Sequence, residues 1–217
     1  MDHALQRHNM VEGQIRPNRV TDALLIAAMG DVPRENFVPA EANGYAYVDQ
    51  AIALGGGRYL MEPMVLARLL QAASVAPDDT ALVVGCASGY SAAVLARLAG
   101  AVVAVEEDAE LAAKATQLLI DQGVDNAAVL EGALAEGCAK QAPYDVILLG
   151  GAVSEIPTRI TDQLADRGRL VCVLGGGTGA GRGTLLTRHG QATQQSQLFD
   201  AETPLLPGFA RPADFSF

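Results

Sequence analysis

"ALVVGCASGYSAAVLARLAG", residues 81–100, runs from a short apolar strand through a small-residue turn into an alanine- and leucine-rich helix. A continuous apolar run of that length fits a strand covered on both faces. The turn after it brings backbone N–H groups to the carboxyl end of the sheet, where open α/β folds hold their ligands. The turn carries Gly85, Ala87 and Gly89, and Tyr90 stands where a dinucleotide fingerprint needs its last glycine. No Lys-Ser or Lys-Thr follows, which excludes a Walker phosphate loop. The pattern suits a nucleoside that lacks a pyrophosphate.

The surroundings repeat the same unit. From Pro63 the chain alternates: "PMVLARLLQAASV" reads as a helix with proline in its first turn, "TALVVG" as a strand and "YSAAVLARLAG" as a helix. "AVVAVEED" is a strand, "AELAAKATQLLIDQG" a helix, and "NAAVLEG", "YDVILLGG" and "RLVCVLGG" are further strands, with "PTRITDQLADRG" a helix between the last two. Such repetition predicts right-handed crossovers and an α/β, doubly wound sheet. The tail "GTLLTRHGQATQQSQLFDAETPLL" reads as a terminal hairpin antiparallel to the rest, and "GGGTGAGRG" at 175–183 as a flexible loop. Before Pro63, "ALQRHNMVEGQI" and "VTDALLIAAMGDV" have helical spacing, Thr21 or Asp22 being the N-cap of the second. The Pro-, Gly- and Tyr-punctuated stretch after them reads as a cap on the substrate side. Two parts result: residues 1–62, the helical cap and substrate-side segment, and 63–217, the core, forming one compact unit.

Glu106 ends the strand "AVVAV", beside the glycine turn. A carboxylate there can accept from both hydroxyls of a ribose, at ~1.5–3 kcal/mol for each such charged hydrogen bond. The bland alternative is a solvated strand-end glutamate beside a turn that only packs helix on strand. Elsewhere the chemistry is thin. Ser88 and Ser91 have no His–Asp pattern nearby, Asp145 reads as a structural contact, and the adjacent carboxylates of "EED" at 106–108 point to opposite faces, so no metal site is expected. Cys86, Cys138 and Cys172 lack paired spacing and read as reduced, mostly buried thiols.

Composition narrows the function classes. Of the 217 residues half are hydrophobic, enough for a substantial core, while the net charge of −10 and the lack of a Lys/Arg cluster argue against nucleic acid. Tryptophan is absent and aromatics are 5%, which leaves little for base stacking. The polar N-terminus shows no signal-peptide core, and no run reaches the ~18 apolar residues of a membrane span. The expected location is the cytoplasm.

The segments "MVEGQI", "VTDALLIAAMGDVPRENFVP", "AYVDQAIALGGG", "VVGCASGYSAAVLA", "APYDVILLGGAVSEIP" and "QLADRGRLV" together resemble the protein-L-isoaspartate O-methyltransferase family, from about Met10 to the C-terminus. The resemblance implies a Rossmann-like seven-strand methyltransferase fold, S-adenosylmethionine as cofactor, and isoaspartyl carboxyl groups of damaged protein or peptide as acceptor. It also implies that Gly85 and Gly89 are loop glycines, that Glu106 is the ribose acid, and that Gly132 belongs to a GDG-like turn. Four departures stand out. Val83 replaces an acidic residue at the end of the first strand, and Ala87 replaces the middle loop glycine. Ala133 replaces the aspartate that contacts adenine. The substrate loop "GQTISQP" reads "GRYLMEP" here, so Arg58 replaces Gln, Tyr59 replaces Thr, Leu60 follows, and Met61 holds the position of the active-site Ser.

Ala87 is absorbed by a small shift if its φ is negative but is costly if φ must be positive. Losing the adenine contact costs about 1–3 kcal/mol, so together the changes weaken cofactor binding ~100-fold or more. Carboxyl methylation needs no general base, because the acceptor is already ionised at neutral pH. The site must supply alignment and exclusion of water, and Met61 cannot orient a carboxylate as a hydroxyl does. Arg58 could attract one; Glu62 would repel it; in the bland alternative both are solvated. Three functions follow: methyl transfer to isoaspartyl residues, a catalytically impaired or repurposed relative acting as a cofactor-binding or protein-interaction module, and an NAD enzyme, which Glu106 suits and Tyr90 does not.

Overall fold

Aspartates set where the N-terminal helices begin. In the computed structural model, which describes residues 2–175 and 180–210, the carboxylate of Asp2 accepts from the Leu5 N–H and opens α1, His3–Met10. The chain continues through a π turn, Val11–Ile15, and a 3₁₀ turn, Arg16–Asn18. Asp22 accepts from Leu24 and Leu25 and caps α2, Ala23–Asp31. After two 3₁₀ turns, Arg34–Phe37 and Ala40–Tyr45, an antiparallel hairpin forms from β1, Ile52–Gly55, and β2, Arg58–Leu60. Pro63 then occupies the first turn of α3, Pro63–Ala73, where its missing N–H leaves no bond unmade.

The alternation follows: β3 Thr80–Val84, α4 Tyr90–Ala96, β4 Ala101–Glu106, α5 Ala109–Asp121, β5 Ala127–Glu131 and β6 Tyr144–Val153. After them come a single turn α6, Thr158–Thr161, and β7 Leu164–Leu174, β8 Gly181–His189 and β9 Ala192–Ala201. The seven-stranded sheet has the order β5-β4-β3-β6-β7-β8-β9, with β5 to β7 parallel. The order reverses between β3 and β6, so the crevice at their carboxyl ends is the switch point where a ligand is expected. Burial follows strand alternation. Ala81, Val83, Val146 and Leu148 join one apolar cluster; Leu82, Val84, Ile147 and Leu149 join the other. The first cluster also takes in Met10, Ile15, Leu25 and Phe37, so the N-terminal segment packs on the same face as α3 and α4. Each such Val, Leu or Ile contributes about 1.5–3 kcal/mol of transfer free energy.

Several expectations are corrected. The helix read in "PTRITDQLADRG" is one turn long. Beyond it the chain is already paired with β6, through a register shift at Arg167, whose φ is +64°. β5 is not buried on both faces, because it is the sheet's edge and alternates between exposed and half-buried. The expected terminal hairpin is present as β8–β9, yet only β8 runs against the other strands. The glycine loop at 175–183 is shorter than expected, since Gly181–Gly183 begin β8; residues 176–179 lie outside the described residues. The β1–β2 hairpin was not anticipated.

Candidate functional site

The turn after β3 folds as a tight cradle. Gly85 has φ +76° and donates to the Val105 carbonyl at 2.8 Å, Cys86 donates to the same oxygen, and Gly89, φ +96°, donates back to the Cys86 carbonyl. Ala87 also has a positive φ, +51°. This is the costly case for an alanine, since a side chain in the left-handed region carries ~1–2 kcal/mol of strain. Its N–H donates to Glu106 Oε2 at 2.7 Å. A methyl on Gly85 would lie 2.7 Å from a Leu206 Cδ and 2.9 Å from an Arg58 guanidinium nitrogen, so the open side of this glycine is already in contact with two side chains.

Glu106 is fully buried at the end of β4. Arg58 Nε donates to Oε1 at 2.9 Å and Nη2 to Oε2 at 2.8 Å, a bidentate pair. The N–H groups of Glu107 and Asp108 reach Oε1 at 3.1 and 3.3 Å, and that of Ala87 reaches Oε2. A carboxylate offers about four lone-pair sites. These five donors therefore leave no acceptor free for a ribose hydroxyl. The bland reading of Glu106 as a solvated strand end is wrong, and so is that of Arg58, which is 2% exposed. Arg58 does attract a carboxylate, but one of its own chain.

The other positions separate. Met61 is buried in the apolar cluster with Leu60, whereas Tyr59 is 37% exposed. Glu62 is buried, not solvated: it accepts from the Thr203 hydroxyl at 2.7 Å, and burial raises its pKa. Val83 is wholly enclosed. Gly132 is half-buried and donates to the Glu106 carbonyl, while Ala133 beyond it is exposed. Two cavities touch the cradle, one lined by Met61, Gly85, Ala87 and Tyr90, the other by Arg58, Gly151 and Leu206; each holds about 10 Å³, roughly one water. A roomier cavity of about 950 Å³, with no residue of the glycine turn in its lining, lies among Asp49, Glu62, Asp200, Glu202 and Thr203.

Sequence reasoning missed two residues and one pairing. Arg34 is fully buried; its Nε donates to the Ala46 carbonyl at 2.8 Å and its Nη2 to the Met61 carbonyl at 2.7 Å, tying the N-terminal segment to the end of the β1–β2 hairpin. Its guanidinium lies 4.9 Å from the Tyr90 ring centroid, a cation–π distance. Leu206 is held over the crevice by a strap: Ala152 donates to the Pro204 carbonyl and Leu206 to the Ala152 carbonyl. Arg58 and Glu106 were each singled out, but not as partners across 48 positions. An arginine and a glutamate flanking the same strand-end crevice were the available signal. Asp145 makes the structural contact expected of it, accepting from the Thr80 N–H at 2.9 Å. Cys86 and Cys172 are buried free thiols, pushed up to about 12 by burial, and Cys138 is half-buried. Among the described residues no helix is long and apolar enough to cross a membrane.

The profile of the family described as protein-L-isoaspartate(D-aspartate) O-methyltransferase (PCMT) matches residues 5–197. A protein-L-isoaspartate O-methyltransferase of Koribacter versatilis is 41% identical over 172 residues, covering 79% of this chain and 78% of its own. That of Roseiflexus castenholzii is 37% identical over 211 residues, covering 97% and 96%. Among solved structures, a protein-L-isoaspartate O-methyltransferase superposes with TM-score 0.81 at 22% identity over 93% of this chain and 66% of that one. A Plasmodium falciparum protein described as a putative protein-L-isoaspartate O-methyltransferase, in complex with S-adenosyl-L-homocysteine, gives 0.76 at 18% over 94% and 97%. At those identities the superpositions speak for the fold. The sequence matches, running through the N-terminal segment, the glycine turn and the strand-end glutamate alike, speak for descent: this chain belongs to the protein-L-isoaspartate O-methyltransferase family.

Proposed function

We propose that the protein is a methyltransferase that moves the methyl group of S-adenosylmethionine, the family's donor, to the free carboxyl of isoaspartyl residues in damaged protein or peptide, in the cytoplasm and without nucleic-acid partners. The carrying observation is the family match over residues 5–197. The glycine turn and Glu106, at the switch point of the sheet, support it. In this reading Gly85, Ala87 and Gly89 form the turn against the nucleoside, Glu106 is the ribose acid, and Gly132 and Ala133 border the adenine.

As folded, these residues do not accommodate that nucleoside. Every lone pair of Glu106 is engaged by N–H groups, and the cavities beside the turn hold about 10 Å³ each. This favours a second reading, in which the chain is a catalytically impaired or repurposed member of the family that keeps the fold for an interaction.

Some of the chemistry rests on this chain's residues alone. An isoaspartyl carboxyl is ionised at neutral pH, so the protein needs no base; it has to orient the acceptor and exclude water. Met61, at the family's serine position, has no hydroxyl and packs in the core, so it serves the second task. The orienting donor must come from elsewhere.

The test is methyl transfer from labelled S-adenosylmethionine to an isoaspartyl peptide, with its aspartyl isomer as control, for the full chain and for Arg58→Gln. Base-labile label on the isoaspartyl peptide alone supports the activity. No transfer by either protein overturns it in favour of the second reading.

A further inference from the structure

We propose that Arg58 is a built-in occupant of the donor's ribose site. Its guanidinium, held on both oxygens of Glu106, latches the cradle shut, and the donor binds only when that pair is broken. The inference rests on the reading of Glu106 as the ribose acid.

Three observations carry it. The first is saturation. A ribose presents two hydroxyl donors to a carboxylate, and Arg58 presents two N–H donors to the same two oxygens in the same bidentate manner, at 2.9 and 2.8 Å. The second is position. The nearest heavy atoms to the missing side chain of Gly85 are a Leu206 Cδ at 2.7 Å and an Arg58 nitrogen at 2.9 Å. The surface that glycine leaves open for the close approach of a ligand is therefore covered by Arg58 and Leu206. The third is how Arg58 is carried. It is the first residue of β2, in a hairpin that forms a two-stranded sheet of its own. The bend before it, Gly55-Gly56-Gly57, has φ of +95°, +56° and +73°, and the ladder is irregular between Ala53 and Gly55. A two-stranded ladder is marginal on its own. Ile52 and Leu60 anchor its base in the core, while the glycine bend is exposed. The guanidinium can leave Glu106 without disturbing the seven-stranded sheet.

The pair also gives the completely buried carboxylate a counter-charge. When Arg58 leaves, the N–H groups of Ala87, Glu107 and Asp108 stay on Glu106, and the positions the guanidinium vacates are open to a ribose. The latch thus lowers the fraction of molecules competent to bind, and the apparent dissociation constant rises by the inverse of that fraction.

The experiment is calorimetric titration of S-adenosylhomocysteine into the ligand-free full chain, compared with Arg58→Gln and with Arg58→Met, which keeps the alkyl volume should the glutamine variant fold poorly. The expected result is that one or both variants bind at least ~100-fold more tightly than the parent, about 2.7 kcal/mol. A residue with a merely structural role would leave affinity unchanged or lower it. Equal micromolar affinity in parent and variants overturns the latch and leaves the donor reading standing. No binding by any of the three at millimolar ligand overturns both, because the cradle then fails with Arg58 removed.

Discussion

Replacing Glu106 by alanine should cost the ligand-free protein far more than replacing Arg58 by methionine. The carboxylate sits at the centre of five donors, while among the described residues the Arg58 side chain bonds to that carboxylate alone. Glu106→Ala leaves a guanidinium that is 2% exposed without an anion, and strips the Ala87, Glu107 and Asp108 N–H groups of their acceptor. Breaking a buried pair in this way costs about 3–5 kcal/mol. Arg58→Met removes only the cation; three backbone N–H groups still solvate the carboxylate, and the expected loss is about 1–3 kcal/mol. In the double variant the cost of the stranded guanidinium disappears, so its loss should fall below the sum of the two singles by about 1–3 kcal/mol. The assay is urea unfolding followed by far-ultraviolet circular dichroism, which suits a chain without tryptophan. Equal m-values across the set would keep the comparison valid. A Glu106→Ala loss below 1 kcal/mol, or a larger loss from Arg58→Met, would refute the assignment of Glu106 as the hub.

Other outcomes follow from the same geometry. Gly85→Ala combines left-handed strain with a methyl pressed on Leu206 and Arg58, so a loss of ~2–4 kcal/mol is expected in the same assay, and a neutral result would contradict the close packing. Arg34→Met abandons the Ala46 and Met61 carbonyls at about 1–3 kcal/mol each and should open the substrate loop to limited proteolysis; unchanged resistance would remove Arg34 as its tie. Burial pushes the thiols of Cys86 and Cys172 up to about 12. A thiol reagent at pH 8 should therefore modify at most Cys138 in the folded protein and all three cysteines after unfolding. Because burial raises the Glu62 pKa, the folded state favours its protonated form, a contribution present below the unfolded value and lost as pH rises through the folded one. Glu62→Gln should accordingly gain stability at pH 7 relative to the parent and show no gain in acid, read from melting temperatures across pH.

The strand–turn–helix at 80–96 and the place of Glu106 could be read from residue pattern, because both depend on local apolar periodicity and on chain geometry at the end of a strand. The α6 region could not. "PTRITDQLADRG" has helical spacing, but from Leu164 the chain gains more from pairing with β6, and the left-handed Arg167 that permits it has no signature in a non-glycine residue. The β1–β2 hairpin hid behind three consecutive glycines, which read as a loop although two short strands flank them. The solvated alternative for Arg58 and Glu62 failed for one reason: a charged side chain reads as solvated until its partner is known, and those partners, Glu106 and Thr203, are distant in sequence. Ala87 marks the opposite limit. Its identity posed the right question, but only the backbone angle could answer it.

The strap that carries Thr203 and Leu206 bears on how the molecule is made. Thr203 donates to Glu62 across 141 positions of chain, and Leu206 closes over Gly85 and Gly151 from the far end of the described sequence. Contacts of such separation form late, since the loop they close is long. During synthesis the glycine turn emerges well before its roof, and a nascent chain stalled short of residue 203 would expose the turn and leave the Glu62 carboxylate without its hydroxyl donor. Arrival of residues 203–206 is therefore the step that roofs the glycine turn and gives Glu62 its hydroxyl donor.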